Sequence, residues 1–174
     1  MYTLTNLRRS AAVLLAIAVA AVAADELPVL HPVNERKPAP QFALKDAADA
    51  TVQLKDFRGK VVVLDFWATW CTGCKKEIPW FEDFQKTYGD KGFATLGVSM
   101  DEEGWKVLRP FLEEHKFIYP MVLGDEAMAK QYGVENLPDT FLIDRHGRVA
   151  AAYLARLVDR DDIAAKIKTL VAEK

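Results

Sequence analysis

Val61-Val62-Val63-Leu64-Asp65-Phe66-Trp67-Ala68-Thr69-Trp70-Cys71-Thr72-Gly73-Cys74 is the stretch on which the reading of this chain turns. Its first seven residues are apolar without alternation, apart from Asp65, as in a strand covered on both faces within a parallel or mixed sheet. Beyond Cys74, residues Ile78, Phe81, Phe84 and Tyr88 recur at three- and four-residue steps up to Gly89, which predicts an amphipathic helix with Pro79 inside it. The two cysteines therefore fall where a buried strand gives way to a helix. A cysteine at a helix N-terminus faces unpaired backbone N–H groups and the positive end of the dipole, which favours thiolate over thiol. That makes Cys71 the nucleophile candidate. Cys74 is placed to attack a mixed disulfide formed at Cys71 and release the partner, the order of events in thiol–disulfide exchange.

Working outward, Phe93 to Met100 reads as a second buried strand and Gly104 to His115 as a helix with Trp105, Leu108, Leu112 and His115 on one stripe. Met121 to Leu123 is a short strand, and Glu126 to Tyr132 a short helix closed by Gly133. Thr140 to Asp144 and Val149 to Leu154 form a hairpin through Arg145-His146-Gly147, and a last helix starts near Asp159. Upstream, Phe42 to Leu44 and Thr51 to Leu54 flank the polar stretch Lys45 to Ala50 as an N-terminal β-hairpin. Strands alternating with helices imply an α/β fold, a mixed β-sheet flanked by helices.

The 174 residues, 51% hydrophobic and 28% charged, suit one globular domain, and a net charge of −2 leaves no basic surplus for a nucleic-acid backbone. Two cysteines are too few for a disulfide-dense scaffold or a four-cysteine zinc site. Arg8 and Arg9 precede an apolar run, Ala11 to Ala24, that falls short of the ~20 residues a bilayer-spanning helix needs and ends in small residues. Residues 1–24 are expected to be a signal peptide, with an uncleaved anchor as the alternative; residues 25–37, with two prolines, an extended leader; and residues 38–174 the domain. Export to an oxidising compartment makes a disulfide between Cys71 and Cys74 the natural resting state. So small a ring restrains the unfolded chain little, which argues for redox use over stapling.

Leu64 to Cys71, the Cys-x-x-Cys and Leu137-Pro138-Asp139-Thr140-Phe141-Leu142-Ile143-Asp144 together resemble the thioredoxin superfamily, and within it the exported reductases of the TlpA, ResA and CcmG type. The likeness covers residues 38 to 174. The segment from Asp101 to Tyr132 looks like the central strand-helix insertion of the TlpA-like group. The resemblance implies a thioredoxin-like fold and a dithiol reductase of client disulfides in the bacterial cell envelope, apocytochrome c being one candidate client. It implies no cofactor beyond the redox-active disulfide, a membrane electron donor, and a monomer that is periplasmic or tethered by its N-terminus. It assigns Pro138 to the family's cis-proline, Leu137 to main-chain contacts with an extended substrate, and Trp70, Thr72 and Gly73 with it to substrate binding.

Asp65 matches the buried acid that thioredoxins place beneath the second cysteine, where it can take the proton from Cys74; an aspartate reaching solvent at a twisted strand end is the alternative. Many TlpA-like proteins carry a neutral residue there. Glu77 has the spacing of the active-site glutamate of ResA-like proteins, and reads equally as a helix-turn acid in solvent. His31, His115 and His146 are scattered, and no metal site is expected, since the copper-chaperone pattern needs a longer cysteine spacing and a histidine near the proline motif; a copper-binding chaperone using the same two sulfurs stays as an alternative. Ala68 stands where peroxiredoxins place a threonine three residues before the reactive cysteine. The Thr72-Gly73 pair leaves direction open, reductase against oxidase or isomerase.

Overall fold

The computed structural model describes residues 27–173; the signal segment expected over residues 1–24 lies outside them. At the centre of the sheet is β4 (Val61–Trp67), buried along its whole length. It lies parallel to β5 (Phe93–Ser99) on one side and antiparallel to β7 (Asp139–Ile143) on the other. Beyond β5 come the parallel β6 (Met121–Leu123) and the hairpin of β2 (Ala43–Asp46) and β3 (Thr51–Gln53); beyond β7 come β8 (Arg148–Tyr153) and the two-residue β1 (Lys37–Pro38). The strand order is β1-β8-β7-β4-β5-β6-β2-β3.

Among the described residues four α-helices cover the sheet: α1 (Thr72–Tyr88), α2 (Trp105–His115), α3 (Glu126–Tyr132) and α4 (Arg160–Ala172). Val61, Val63 and Trp67 pack with Phe81 and Phe84 of α1, Leu108 of α2, and Ile163 and Ile167 of α4. Val62, Leu64 and Phe66 pack on the opposite face with Met128 and Tyr132 of α3. Both faces of β4 are thus occupied, which is why its sequence is apolar without alternation. Each such side chain contributes about 1.5–3 kcal/mol by leaving water. This is the thioredoxin-like arrangement that the sequence implies.

Two features depart from the sequence expectation, while helix α2, expected over residues 104–115, forms at Trp105–His115. β3 ends at Gln53, and Leu54–Phe57 turn as a 3-10 helix because the Asp56 carboxylate takes the Gln53 N–H at 2.9 Å, while Leu54 turns into the core. Helix α2 runs through Pro110, which deprives the Lys106 carbonyl of its helical donor. The second half of the leader is docked: His31 donates its N–H to the Ala150 carbonyl at 2.8 Å, and Lys37–Pro38 pair with the edge of β8. A proline is tolerated there because an edge strand leaves one side of its backbone unpaired. Between them the buried Arg36 guanidinium donates to Asp144 at 3.3 Å and to both oxygens of Glu173 at 2.6 and 2.8 Å, clamping the leader to the β7–β8 turn and the end of α4.

Candidate active site

The site forms where β4 delivers the chain to α1. Cys71 is the N-cap of α1, and its Sγ accepts the Cys74 N–H at 3.1 Å, so the first turn of the helix points its donors at sulfur. Cys71 and Cys74 are joined as a disulfide with an S–S distance of 1.97 Å. Cys74 is wholly buried while Cys71 keeps 6% of its surface open, and Trp70 beside it stands 67% exposed. The approach to the helix is fixed from behind. Asp101 at the end of β5 accepts the Thr69 N–H at 3.1 Å, the Thr69 hydroxyl at 2.7 Å and the Ser99 hydroxyl at 2.7 Å.

Leu137 and Pro138 lie opposite the disulfide, and the peptide bond between them is cis. A Cβ built on Gly73 would sit 3.2 Å from Leu157 Cδ2 and 3.8 Å from Pro138 Cδ, so glycine lets the Cys-x-x-Cys turn lie close to both residues. Thr72 is exposed on the outer side of that turn. A hollow of about 380 Å³ between Trp70, Met100, Ala129, Val134 and Leu137 opens beside the disulfide. The exposed Leu154 and Leu157 belong to the loop between β8 and α4, so apolar surface lies on more than one side of the sulfurs.

Two carboxyls are sealed into the protein here. Asp65 is 1% exposed; its Oδ1 accepts the Thr140 hydroxyl at 3.4 Å and its Oδ2 has no partner among the described residues. Burial pushes its pKa well above the carboxylate range, the charge of Glu77 adds to the rise, and the Thr140 bond opposes it. Glu77, on α1 one turn beyond Cys74, is fully buried; its Oε1 accepts the Val158 N–H at 2.5 Å and its Oε2 is unpartnered among the described residues. Burial raises its pKa to about 7, against the Val158 bond, which favours the charged form. The readings of Asp65 and Glu77 as solvated acids are therefore set aside by their burial. Asp65 and Glu77 are thus two buried carboxyls that hold their protons to higher pH than solvated acids do, Glu77 lying one helical turn beyond Cys74.

Sequence reasoning passed over Asp139, Asp101 and the Val158 N–H. Asp139 directly follows Pro138 and is 2% exposed, accepting the Ala155 N–H at 2.5 Å. Asp101 reads as the start of the inserted segment, although the polar Thr69 in an otherwise apolar and aromatic run was a signal that something must satisfy it. His31, His115 and His146 are all exposed, and the described residues contain no cluster of three or more His, Cys, Asp or Glu side chains able to hold a metal ion.

A model of the AhpC/TSA family matches residues 36–152. The thiol-disulfide oxidoreductase ResA of Bacillus thuringiensis subsp. konkukian (strain 97-27) is 38% identical over 115 residues, 65% of this chain and 65% of its own length. ResA of Geobacillus thermodenitrificans (strain NG80-2) is 35% identical over 124 residues, 71% of each chain. The crystal structure of a putative thiol:disulfide interchange protein DsbE from Chlorobium tepidum superposes with a TM-score of 0.73 at 32% identity, covering 79% of this chain and 97% of that one. The Chlorobium tepidum protein carries the fold described above. With a strand-to-helix Cys-x-x-Cys facing a cis-proline across the site, the chain belongs to the AhpC/TSA family of thioredoxin-like proteins.

Proposed function

We propose that the protein is a thiol–disulfide oxidoreductase of the bacterial cell envelope that reduces disulfides of client proteins. The observation that carries this reading is the asymmetric disulfide: Cys71 at the helix N-terminus with an open edge, and Cys74 sealed inside, one helical turn before the buried Glu77. In the reduced protein the Cys71 thiolate attacks a client disulfide; the client S–S bond breaks, one client sulfur leaves as thiolate, and the other is held in a mixed disulfide. Cys74 then gives its proton to Asp65 or Glu77 and attacks Cys71 Sγ. That step releases the second client thiolate and forms the Cys71–Cys74 bond, so two electrons have passed to the client. An extended client segment would lie along the backbone of Leu137 in the manner of an added strand, with Trp70 flanking it.

The export reading rests on residues 1–24, and a reductase in an oxidising compartment needs recharging, for which a membrane donor carrying electrons from the cytosol is the expected partner. Apocytochrome c before haem attachment is a client class of the required chemistry, an accessible cysteine pair. Peroxide reduction is disfavoured by Ala68, which offers no hydroxyl three residues before Cys71, and by the engagement of the Thr69 hydroxyl with Asp101.

The test is to reduce the protein with dithiothreitol, measure transfer to a protein disulfide such as insulin, and trap clients with Cys74→Ser for identification by mass spectrometry. The proposal expects turnover by the wild type, accumulation of mixed disulfides on Cys71 in the variant, and none in Cys71→Ser. Turnover by Cys71→Ser equal to wild type would overturn it.

A further inference from the structure

The loop from Leu154 to Asp159, between β8 and α4, is held from two directions by buried carboxyls. Asp139 on β7 accepts the Ala155 N–H at 2.5 Å, and Glu77 on α1 accepts the Val158 N–H at 2.5 Å. Between these two anchors Leu157 projects onto Gly73 of the Cys-x-x-Cys turn, with Pro138 alongside. Ala155 has a φ of 51°, in the left-handed region. A residue with a Cβ is disfavoured there by about 5- to 30-fold in population, so something in the surroundings must hold it. Among the described residues, the hydrogen bond of the Ala155 N–H goes to Asp139.

We propose that Asp139 is a positioning residue for the dithiol centre: by holding the Ala155 N–H it fixes the 154–159 loop, keeping Leu157 against Gly73 and the Val158 N–H on Glu77. The proposal rests on the oxidoreductase reading above and adds to it a residue that touches neither sulfur nor client. Its logic is mechanical. β7 and β8 pair only as far as Thr140 and Tyr153, so the chain beyond Tyr153 is free of the ladder. A carboxylate N–H bond, stronger than a neutral one, takes over where the ladder stops. Asp139 is joined rigidly to Pro138, and thus one residue connects the wall facing the disulfide with the loop that roofs it. The acids that face this arrangement are Glu135, whose charge bears on Asp139, and Glu77 at the far anchor. Burial raises the pKa of Asp139, and its bond to Ala155 opposes the rise.

Asp139→Ala, Asp139→Asn and Asp139→Ala combined with Ala155→Gly test this, each read by amide hydrogen exchange and by the rate of insulin reduction. Asp139→Ala is expected to speed exchange at the Ala155 and Val158 amides at least ~10-fold, leave Leu142 and Tyr153 unchanged, and slow reduction about 10- to 100-fold, the scale of a site displaced by about an ångström. Asp139→Asn retains an oxygen acceptor and should keep most of the protection and rate. Ala155→Gly, for which the left-handed backbone is permitted, should restore part of what Asp139→Ala loses. Should Asp139→Ala fail to fold, Asp139→Ser, whose hydroxyl is one bond too short to reach the Ala155 N–H, is read the same way. An unchanged Val158 amide in the truncated variant, or an Asn variant as impaired as the Ala variant, overturns the proposal. A wild type that reduces no disulfide would overturn the oxidoreductase reading instead, and the amide exchange would still judge the strut.

Discussion

Thr140 and Asp65 face each other across the antiparallel β7–β4 pairing, and the Thr140 hydroxyl reaches Asp65 Oδ1 at 3.4 Å. The bond is long and single. It leaves Oδ2 unpartnered among the described residues and does little to offset the cost of burying a charge, so the carboxyl holds its proton to higher pH than a solvated one and is the stronger base once ionised.

Asp65→Asn should therefore separate stability from activity. Because the folded pKa lies above the unfolded value of 3.8, the protein loses stability as pH rises from that value toward the folded one. The asparagine variant escapes this loss, and should match wild type near pH 3 and exceed it increasingly toward pH 8 in denaturant unfolding. Resolution of the mixed disulfide should slow by about 10²- to 10⁴-fold, since a proton acceptor for Cys74 is gone. A variant no more stable at pH 8 than wild type, or resolving as fast, would contradict both halves of the argument.

Glu77 gives a second, better-defined window. Its pKa rises from 4.5 unfolded to about 7 folded, so its contribution is intact below pH 4.5 and falls away as pH climbs through 7, by about 3 kcal/mol in all. Glu77→Gln keeps an acceptor for the Val158 N–H and removes the charge. It should flatten that part of the stability curve and delete the inflection near pH 7 from the pH–rate profile of exchange, measured between pH 5 and 9.

Asp65 was legible in the sequence as an acid inside an unbroken apolar run, though only its burial excludes a strand end reaching solvent, and the Cys-x-x-Cys because a strand-to-helix junction dictates what its first cysteine faces. Glu77 was not settled, because the helical periodicity of α1 does not say that the Val158 backbone, 81 residues later, will close over that position. Asp139 was hidden for the same reason. A polar residue after a proline at a strand start reads as turn chemistry, and its partner is a main-chain N–H that carries no side-chain signature. The prolines of the leader announced an extended segment but not its docking, which depends on Arg36 finding Asp144 and Glu173 across more than a hundred residues.

That clamp can be tested alone. Arg36 and Asp144 are almost entirely enclosed, and Glu173 is partly exposed. Arg36→Ala leaves Asp144 with Arg148 as its remaining cation and should cost about 3 kcal/mol in denaturant unfolding. Asp144, held below the usual carboxylate range by Arg148 and Arg36, contributes stability above pH 3.8 that is lost as pH falls through its folded value. The cost of Arg36→Ala should accordingly shrink below pH 3, while exchange activity at pH 7 stays within ~2-fold of wild type.

The unequal burial of the two sulfurs predicts unequal chemistry. In the reduced protein, iodoacetamide should alkylate Cys71 at least ~10-fold faster than Cys74, because Cys74 is enclosed and Cys71 alone has an open edge at the helix terminus. Peptide mapping after short exposure reads the ratio directly, and equal labelling would reverse the assignment of nucleophile and resolver.

Direction is the last consequence of the buried acids. A disulfide is neutral, whereas the dithiol gains its stability as a donor or acceptor partly through thiolate. Asp65 and Glu77, to the extent that either is charged, repel a thiolate on Cys74, and burial of Cys74 disfavours the same charge. The expected consequence is an oxidised form favoured over the dithiol, and so a reducing couple. The potential should lie nearer the ~−270 mV of thioredoxin than the ~−120 mV of a strong periplasmic oxidant, a gap of about 7 kcal/mol for a two-electron couple. Equilibration with dithiothreitol buffers at pH 7, followed by alkylation and mass spectrometry, measures it. Asp65→Asn combined with Glu77→Gln should raise the value, because the repulsion acts through those two carboxyls. A wild-type potential above about −180 mV, the level of an isomerase, would place the protein on the oxidising side and reverse the direction of electron flow argued for it.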